Sequence, residues 1–357
     1  MEGVELSDFS EFFNGKKVLV TGHTGFKGSW LCMMLDIFGA KIFGYALEPN
    51  TEPDLYSALK LRKKLSKEKI ADIGNYGEVR KFFEETKPEI VIHLAAQPLV
   101  RDSYDDPLYT YETNVIGTAN VLQAVKEVGG VEAAVIITTD KVYEDKEKDG
   151  GYKENDELGG HEPYSASKVC AEFVTKSYIR SFFNLEKNPN APRVATARAG
   201  NVIGGGDWSK DRLVPDIIKA KQKGKKLRLR NPDAIRPWQH VLEPNFGYLL
   251  LAKALYEKKK NISATYNFAS EEKNFVTVKE IAQKSGAEFE ILPDEKKHEA
   301  KMLKLDASKA KEELGWAPKI GIEKALEMTF EWYDKYYSKN ADMAEFTQGQ
   351  INNYFEK

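Results

Sequence analysis

Two short strings carry residue types that can do redox and elimination chemistry on one carbon framework. Thr138-Thr139-Asp140-Lys141-Val142-Tyr143 offers hydroxyls, a carboxylate and an amine in succession, and Tyr164-Ser165-Ala166-Ser167-Lys168 offers a phenol followed by an amine. The Tyr164–Lys168 spacing is about one helical turn, so the pair shares a helix face. An ammonium there is expected to draw the phenol's pKa from about 10 towards neutrality. A phenolate can take a proton from a sugar hydroxyl while the carbon's hydride leaves for a nicotinamide, and Thr139 can hydrogen-bond that hydroxyl. Spacing alone decides little, because Tyr256 and Lys260 repeat Tyr-x-x-x-Lys in a charged helix end where no chemistry is expected.

The flanking elements must place these groups. The apolar run Ala133–Ile137 reads as a buried strand, which puts Thr139, Asp140 and Lys141 at its carboxyl end, where open parallel sheets bind ligands. Upstream, Lys16–Thr21 reads as a strand that runs into Gly22-His23-Thr24-Gly25-Phe26-Lys27-Gly28 and then into a helix over Trp30–Phe38. Glycines at Gly22, Gly25 and Gly28 allow a tight turn and let backbone amides reach a pyrophosphate at the helix's positive end. That makes a dinucleotide the expected ligand of this loop. The next strand, Lys41–Leu47, ends without the acid that commonly holds the adenosine ribose, the nearest being Glu48. No arginine stands there either, which disfavours a 2′-phosphate.

Further strands are expected at Lys69–Ile73, Pro88–Ala96 and Arg193–Arg198, and helices at Lys60–Lys69, Val79–Thr86, Tyr109–Val128 (bearing Asn114) and Tyr164–Arg180. Ala95 and Ala96 are small residues at a strand end, where a flat cofactor can lie close. His93, inside the same apolar run, reads as a core histidine. This alternation implies a Rossmann-type α/β fold, a doubly wound parallel sheet with a smaller, mainly helical C-terminal lobe. Residues 14–190 are assigned to the NAD-binding domain, with a return at about 238–269. Residues 191–237 and 270–340 are assigned to a substrate lobe. That lobe contains a loop read as flexible and glycine-rich, Ala199–Trp208, and helices at Val276–Ser285, Asp306–Leu314 and Ile322–Tyr337.

Composition narrows the function classes. With 357 residues, 41% hydrophobic and 30% charged, the chain can bury a large core. A net charge of −2 gives no case for nucleic acid or a membrane surface as partner. The basic run from Lys219 to Arg236 reads as a solvated face, from which Arg236 is the first candidate to hold a substrate phosphate. Cys32 and Cys170 are too few for a disulfide framework and suit a reducing cytoplasm as small core residues. No signal peptide, membrane span or metal site is expected, and the location expected is cytoplasmic.

The glycine loop, Ala95-Ala96, Tyr164-x-x-x-Lys168 and Arg198-Ala199-Gly200-Asn201 resemble the extended short-chain dehydrogenase/reductase superfamily over about Lys16–Tyr337. Longer strings are similar to the CDP-glucose 4,6-dehydratase family: Gly22–Trp30, Thr139–Tyr143, Leu158–Tyr164 and Asn201–Trp208. The resemblance implies a tightly held NAD and loss of water from CDP-glucose, giving a 4-dehydro-6-deoxy sugar for surface polysaccharide. It places Gly22, His23, Gly25, Phe26, Lys27 and Gly28 around the cofactor pyrophosphate and Asp72-Ile73 at adenine. It also places Asn201, Asp207 and Arg236 at the sugar nucleotide. Asp140 would protonate the leaving C6 hydroxyl, which requires a neutral carboxyl. Related dTDP-glucose dehydratases carry a glutamate as C5 base where this chain has Lys141. Lys141 must then either lose its proton through burial or stabilise the enolate as a cation. Relatives pair through the helices around Tyr109–Val128 and Tyr164–Arg180, so a dimer or tetramer is expected. The rival readings are a nucleotide-sugar 4-epimerase, a dehydratase for another sugar nucleotide, and a silent dinucleotide-binding protein. The Asp140-Lys141 pair argues against the first, and the intact Thr139, Tyr164 and Lys168 against the last.

Overall fold

Runs such as Val18-Leu19-Val20 are apolar at every position because both faces of their sheet are covered. The computed structural model describes residues 6–146, 148, 150–271, 275–292 and 304–356. Its central strands are β1 (Lys17–Thr21), β2 (Lys41–Ala46), β3 (Lys67–Ile70), β4 (Ile90–His93), β5 (Ala133–Ile137) and β6 (Arg193–Arg198). Four short strands follow, β7 (Val202–Ile203), β8 (Leu227–Leu229), β9 (Ile235–Pro237) and β10 (Gln239–His240), before β11 (Thr265–Asn267) returns to the sheet. The order β11-β6-β5-β4-β1-β2-β3 is parallel throughout, the Rossmann arrangement with one added edge strand. The order in which strands are added reverses between β1 and β4, and the crevice opens there.

Alternate strand residues feed two cores. Val18 and Val20 face one cluster with Trp30, Phe246 and Leu249, while Leu19 faces another with Phe82, Phe83 and Val121. The first layer holds α1 (Leu6–Phe13), α2 (Phe26–Ile37) and, after the short α3 (Leu55–Ala58), later helices. The second is built by α4 (Tyr76–Thr86), α5 (Val100–Asp105), α6 (Pro107–Tyr111), α7 (Gly117–Val128) and α8 (Pro163–Ser181). α10 (Leu242–Tyr256) completes the first layer against the sheet, and α9 (Leu213–Gln222), α11 (Val278–Lys284), α12 (Ile322–Ser338) and α13 (Met343–Phe355) are the remaining helices. Buried Glu243 at the start of α10 accepts Ile320 N at 2.6 Å, Lys319 N at 2.8 Å and Tyr354 Oη at 2.9 Å, so it pins α13 to the first layer. Burial pushes its pKa up to about 7.

Several expectations are corrected. Lys60–Lys69 is not a helix: one 3-10 turn, Leu61–Lys63, precedes β3, because pairing of Lys67 with Phe43 and Ile70 with Ala46 extends the chain. Asp72 therefore lies beyond β3, in a turn where its Oδ1 accepts Gly74 N at 2.7 Å. The expected Tyr109–Val128 helix contains a π-turn over Glu112–Ile116, and the Val276–Ser285 helix begins only at Val278, with Phe275–Thr277 paired to β9. The Ala199–Trp208 loop is packed rather than flexible, since a Cβ on Gly205 would lie 2.0 Å from the Trp332 ring. β6 belongs to the central sheet, so the sheet runs past the boundary placed at residue 190. Of the 270–340 segment, residues 272–274 and 293–303 lie outside the described residues. Among the described residues no helix is long and apolar enough to cross a membrane.

Candidate active site

The glycine loop follows from steric limits. Gly22 has φ +74°, and a Cβ on it would sit 2.7 Å from Ala95 N; one on Gly28 would sit 2.2 Å from Gly22 O. The loop thus closes tightly against the end of β4. Gly25 caps α2 with extended backbone and is exposed, so the helix's first amides stay open to a ligand. This cradle suits a pyrophosphate, and the residues present fit a dinucleotide.

One cleft runs along the crevice. Its walls include Leu47, Asn50, Asp72 and Ile73 at one end, the loop residues Gly22, Gly25, Phe26, Lys27 and Gly28 with Ala95 and Ala96 in the middle, and Thr139, Tyr164 and Lys168 at the other. His23 is elsewhere. Its ring is fully buried beneath β2, with Nε2 2.8 Å from Glu68 Oε1, which Tyr56 Oη also contacts at 2.5 Å. The expectation of a pyrophosphate donor is corrected: His23 braces the loop from below, in the space that Gly44 leaves open. His93 is a core residue as expected, with Nδ1 2.7 Å from Thr21 Oγ1 and Nε2 3.1 Å from Thr118 Oγ1. Burial, with repulsion from Lys168, pulls its pKa down to about 3 and keeps it neutral.

At the end of β5, Thr139 caps the 3-10 turn Asp140–Val142. Its hydroxyl donates to Asp140 Oδ1 at 2.9 Å and hydrogen-bonds Tyr164. Asp140 is buried, lies directly over Gly200, and receives Asn201 Nδ2 on Oδ2 at 3.3 Å. Asn201 therefore reaches the carboxylate from the end of β6, in left-handed backbone (φ +51°). The α8 start is fixed by Glu162, whose side chain accepts Ser165 N at 3.1 Å, and by Ser103 Oγ, which accepts Tyr164 N at 3.1 Å. Asn114 donates to Ser167 Oγ at 2.8 Å from within the π-turn.

The electrostatics differ from expectation. Tyr164 is not drawn towards neutrality: burial pushes its phenol up to about 12, with the Thr139 hydrogen bond and Arg212 pulling the other way and Asp140 adding to the rise. Lys168 Nζ instead donates to Ile137 O at 3.2 Å, and burial pulls it down to about 8 against the attraction of Glu172. Lys27 is likewise brought to about 8 by burial, then by Arg212 and Lys168, with Asp140 opposing. Lys141 is only half-buried and does not share this enclosure.

Sequence reasoning missed Arg212. It lines the cleft beside Ser209, with Nη1 donating to Asp207 Oδ2 at 3.0 Å. Asp207 is thus the group that aims Arg212, and a lone arginine just ahead of the apolar α9 was the available signal. With Lys27 and Lys168 it makes the cleft cationic, which suits a phosphorylated ligand. Arg236 lies on β9, opposite Val276, with Nη1 donating to Ile235 O, and is not among the described residues that line the cleft.

The chain is 44% identical over 350 residues to the CDP-glucose 4,6-dehydratase of Salmonella typhimurium, covering 96% of this chain and 97% of that one. It is 27% identical to the dTDP-glucose 4,6-dehydratase of Haemophilus influenzae, over 88% of this chain and 97% of that one. Its fold matches solved structures at low identity. One is a UDP-glucose 4-epimerase from Thermotoga maritima (TM-score 0.77, 23% identity, 90% of this chain and 99% of that one). Another is a dTDP-glucose 4,6-dehydratase from Bacillus anthracis in complex with NAD (TM-score 0.74, 24% identity, 92% and 98%). A family model for GDP-mannose 4,6 dehydratase matches residues 19–329, and the chain belongs to that family.

Proposed function

We propose that the chain is an NAD-dependent hydro-lyase, converting CDP-D-glucose to CDP-4-dehydro-6-deoxy-D-glucose and water. The observation that carries this reading is Asp140: a buried carboxyl one hydrogen bond from Thr139, whose hydroxyl also bonds Tyr164. That puts an acid for elimination beside a redox phenol. The 44% identity to a CDP-glucose 4,6-dehydratase supports the choice of base and sugar.

When bound, the oxidised nicotinamide supplies a hydride acceptor and donor and a positive charge. Tyr164 takes the C4 hydroxyl's proton as the C4 hydride departs, and Thr139 holds that oxygen. The C4 ketone acidifies the C5 proton. Loss of that proton to solvent expels the C6 hydroxyl, which Asp140 protonates to water, and the proton that Tyr164 took from the C4 hydroxyl replaces the one Asp140 gave. Lys141 steadies the enolate as a cation. Return of the hydride to C6 would let C5 take its proton back from solvent, so a bound nicotinamide would serve only as a transient hydride store. Gly22–Gly28 and Lys27 hold the dinucleotide, and Arg212, aimed by Asp207, holds sugar-nucleotide phosphate.

The test is incubation with CDP-, dTDP-, GDP- and UDP-hexoses, reading the alkaline absorbance of a 4-keto product. CDP-glucose is expected to give it at the highest kcat/KM. Product from another sugar nucleotide with none from CDP-glucose overturns the substrate.

The chain also works as a homo-oligomer in this reading. Leu108 (79% exposed), Ile116 (51%) and Phe173 (54%) leave an apolar face on the adjoining helices α6 and α8 and the π-turn between α6 and α7. Sedimentation is expected to give at least twice the chain mass, and Phe173→Glu to lower it. A wild-type monomer refutes the pairing.

A further inference from the structure

The residues on either side of the Thr139-Asp140-Lys141 triplet are held by one buried ion pair that the reaction scheme does not use. Glu172 lies on α8, one turn beyond Lys168, and Arg198 ends β6, two residues before Gly200. Their side chains are 5% and 3% exposed and form a bidentate pair, with Arg198 Nε donating to Glu172 Oε1 at 2.8 Å and Nη2 to Oε2 at 3.1 Å. On the near side of the triplet, Thr138 Oγ1 donates to Glu172 Oε1 at 2.7 Å. On the far side, Arg198 Nη1 donates to Tyr143 Oη at 2.7 Å, and that hydroxyl donates on to Asn267 Oδ1 at 2.8 Å. Thr196 Oγ1 fills the remaining position on Glu172 Oε2 at 2.8 Å, and Glu154 O accepts Arg198 Nη1 at 3.2 Å.

The pair therefore touches all three segments of the site. It sits on the helix that carries Tyr164 and Lys168, on both ends of the turn that carries Asp140, and on the strand whose continuation, Gly200-Asn201, packs against Asp140. Desolvating two charges this completely is costly and seldom a net gain over apolar packing, so the arrangement calls for a reason other than stability. Planar bidentate pairing fixes direction as well as distance.

The geometry points to Glu172 and Arg198 as positioning residues that, through Thr138 and Tyr143, clamp the Asp140 turn at the correct height over Tyr164. The assignment rests on the dehydratase reading. The clamp acts on the turn and leaves the start of α8 to Glu162 and Ser103. Its loss should therefore slow elimination more than C4 oxidation.

Tyr143→Phe isolates the far grip without leaving a buried charge unpaired, and its ring can keep its stack on Tyr152 (5.0 Å between centroids). With NAD and CDP-glucose, kcat for the 4-keto-6-deoxy product is expected to fall between about tenfold and a hundredfold, the scale of a small misplacement. KM should stay within about twofold. The near-ultraviolet absorbance of reduced nicotinamide should accumulate, because oxidation now outruns elimination. Thr138→Val, which keeps side-chain shape, should give the same signature more weakly. The double variant should show less than the product of the two effects. Unchanged kcat in either folded variant overturns the clamp, as does a loss of rate without accumulated reduced cofactor. If Tyr143→Phe fails to fold, Thr138→Val decides alone. A wild-type protein inactive on CDP-glucose overturns the substrate reading first; a wild type that turns over, with unaffected variants, overturns only the clamp.

Discussion

Tyr164→Phe is expected to lower kcat on CDP-glucose by roughly 10²–10⁴-fold, the usual contribution of a positioned acid–base group, while NAD binding by fluorescence titration stays near wild type. The change removes one oxygen and keeps the ring, so α8 and its cap at Glu162 persist. The phenol sits at about 12 in the protein alone, held there chiefly by burial. It is therefore protonated on arrival, and its proton must be drawn off by positive charge at the moment of reaction. Arg212 already bears on the phenol, and Lys168, one turn along α8, lines the same cleft. Lys168 titrates near 8 rather than 10.5. Its ammonium is present below about pH 8 and is lost as pH rises through that value, so kcat/KM should fall above about pH 8. Lys27, also near 8, reinforces the fall. Stability moves the other way. From about pH 8 to 10.5 the unfolded chain holds a proton on this lysine that the folded chain lacks, so its contribution to stability rises with pH. Activity falling while that contribution grows separates ammonium loss from unfolding. A Tyr164→Phe protein within tenfold of wild type refutes the role.

The parts of this arrangement that lie in single segments were legible in the chain. The strands β1, β2, β5 and β6 are apolar runs bounded by turn residues, and the glycine loop sits between strand and helix, so their ends located the crevice. Thr139, Tyr164 and Lys168 followed. What escaped depends on contacts across the sequence. β3 is a lysine-rich edge strand whose helix-like composition is overridden by pairing with β2. The burial that sets Tyr164 near 12 comes from packing of separate elements, so counting Lys168 as its neighbour gave the wrong direction. His23 looked like a loop donor because nothing in the local string reveals Glu68, 45 residues away, beneath it. Arg212 and Glu172 have no chemistry until Asp207 and Arg198 face them. Arg236, expected at a substrate phosphate, lies on β9, which contributes no described residue to the lining of this cleft.

Lys141→Met should separate the two halves of the reaction more sharply than any other single change. Lys141 follows Asp140 on one 3-10 turn, and it is half-buried where Lys27 and Lys168 are enclosed. A cation at that place opposes the negative charge that develops when C5 loses its proton, an effect whose removal typically costs about 10²–10³-fold in rate. C4 oxidation, which the proposed scheme assigns to Thr139, Tyr164 and Lys168, does not require it. A single turnover of the Met variant is therefore expected to form reduced nicotinamide at the wild-type rate and then to stall, with the 4-keto-6-deoxy product delayed roughly 10²-fold or more. Lys141→Arg distinguishes charge from proton transfer, because guanidinium stays protonated at any working pH. Substantial dehydration by the Arg variant assigns Lys141 as fixed charge; an Arg variant as inert as Met makes it a proton carrier. Full multiple turnover by Lys141→Met removes it from elimination altogether and leaves Asp140 to act without it.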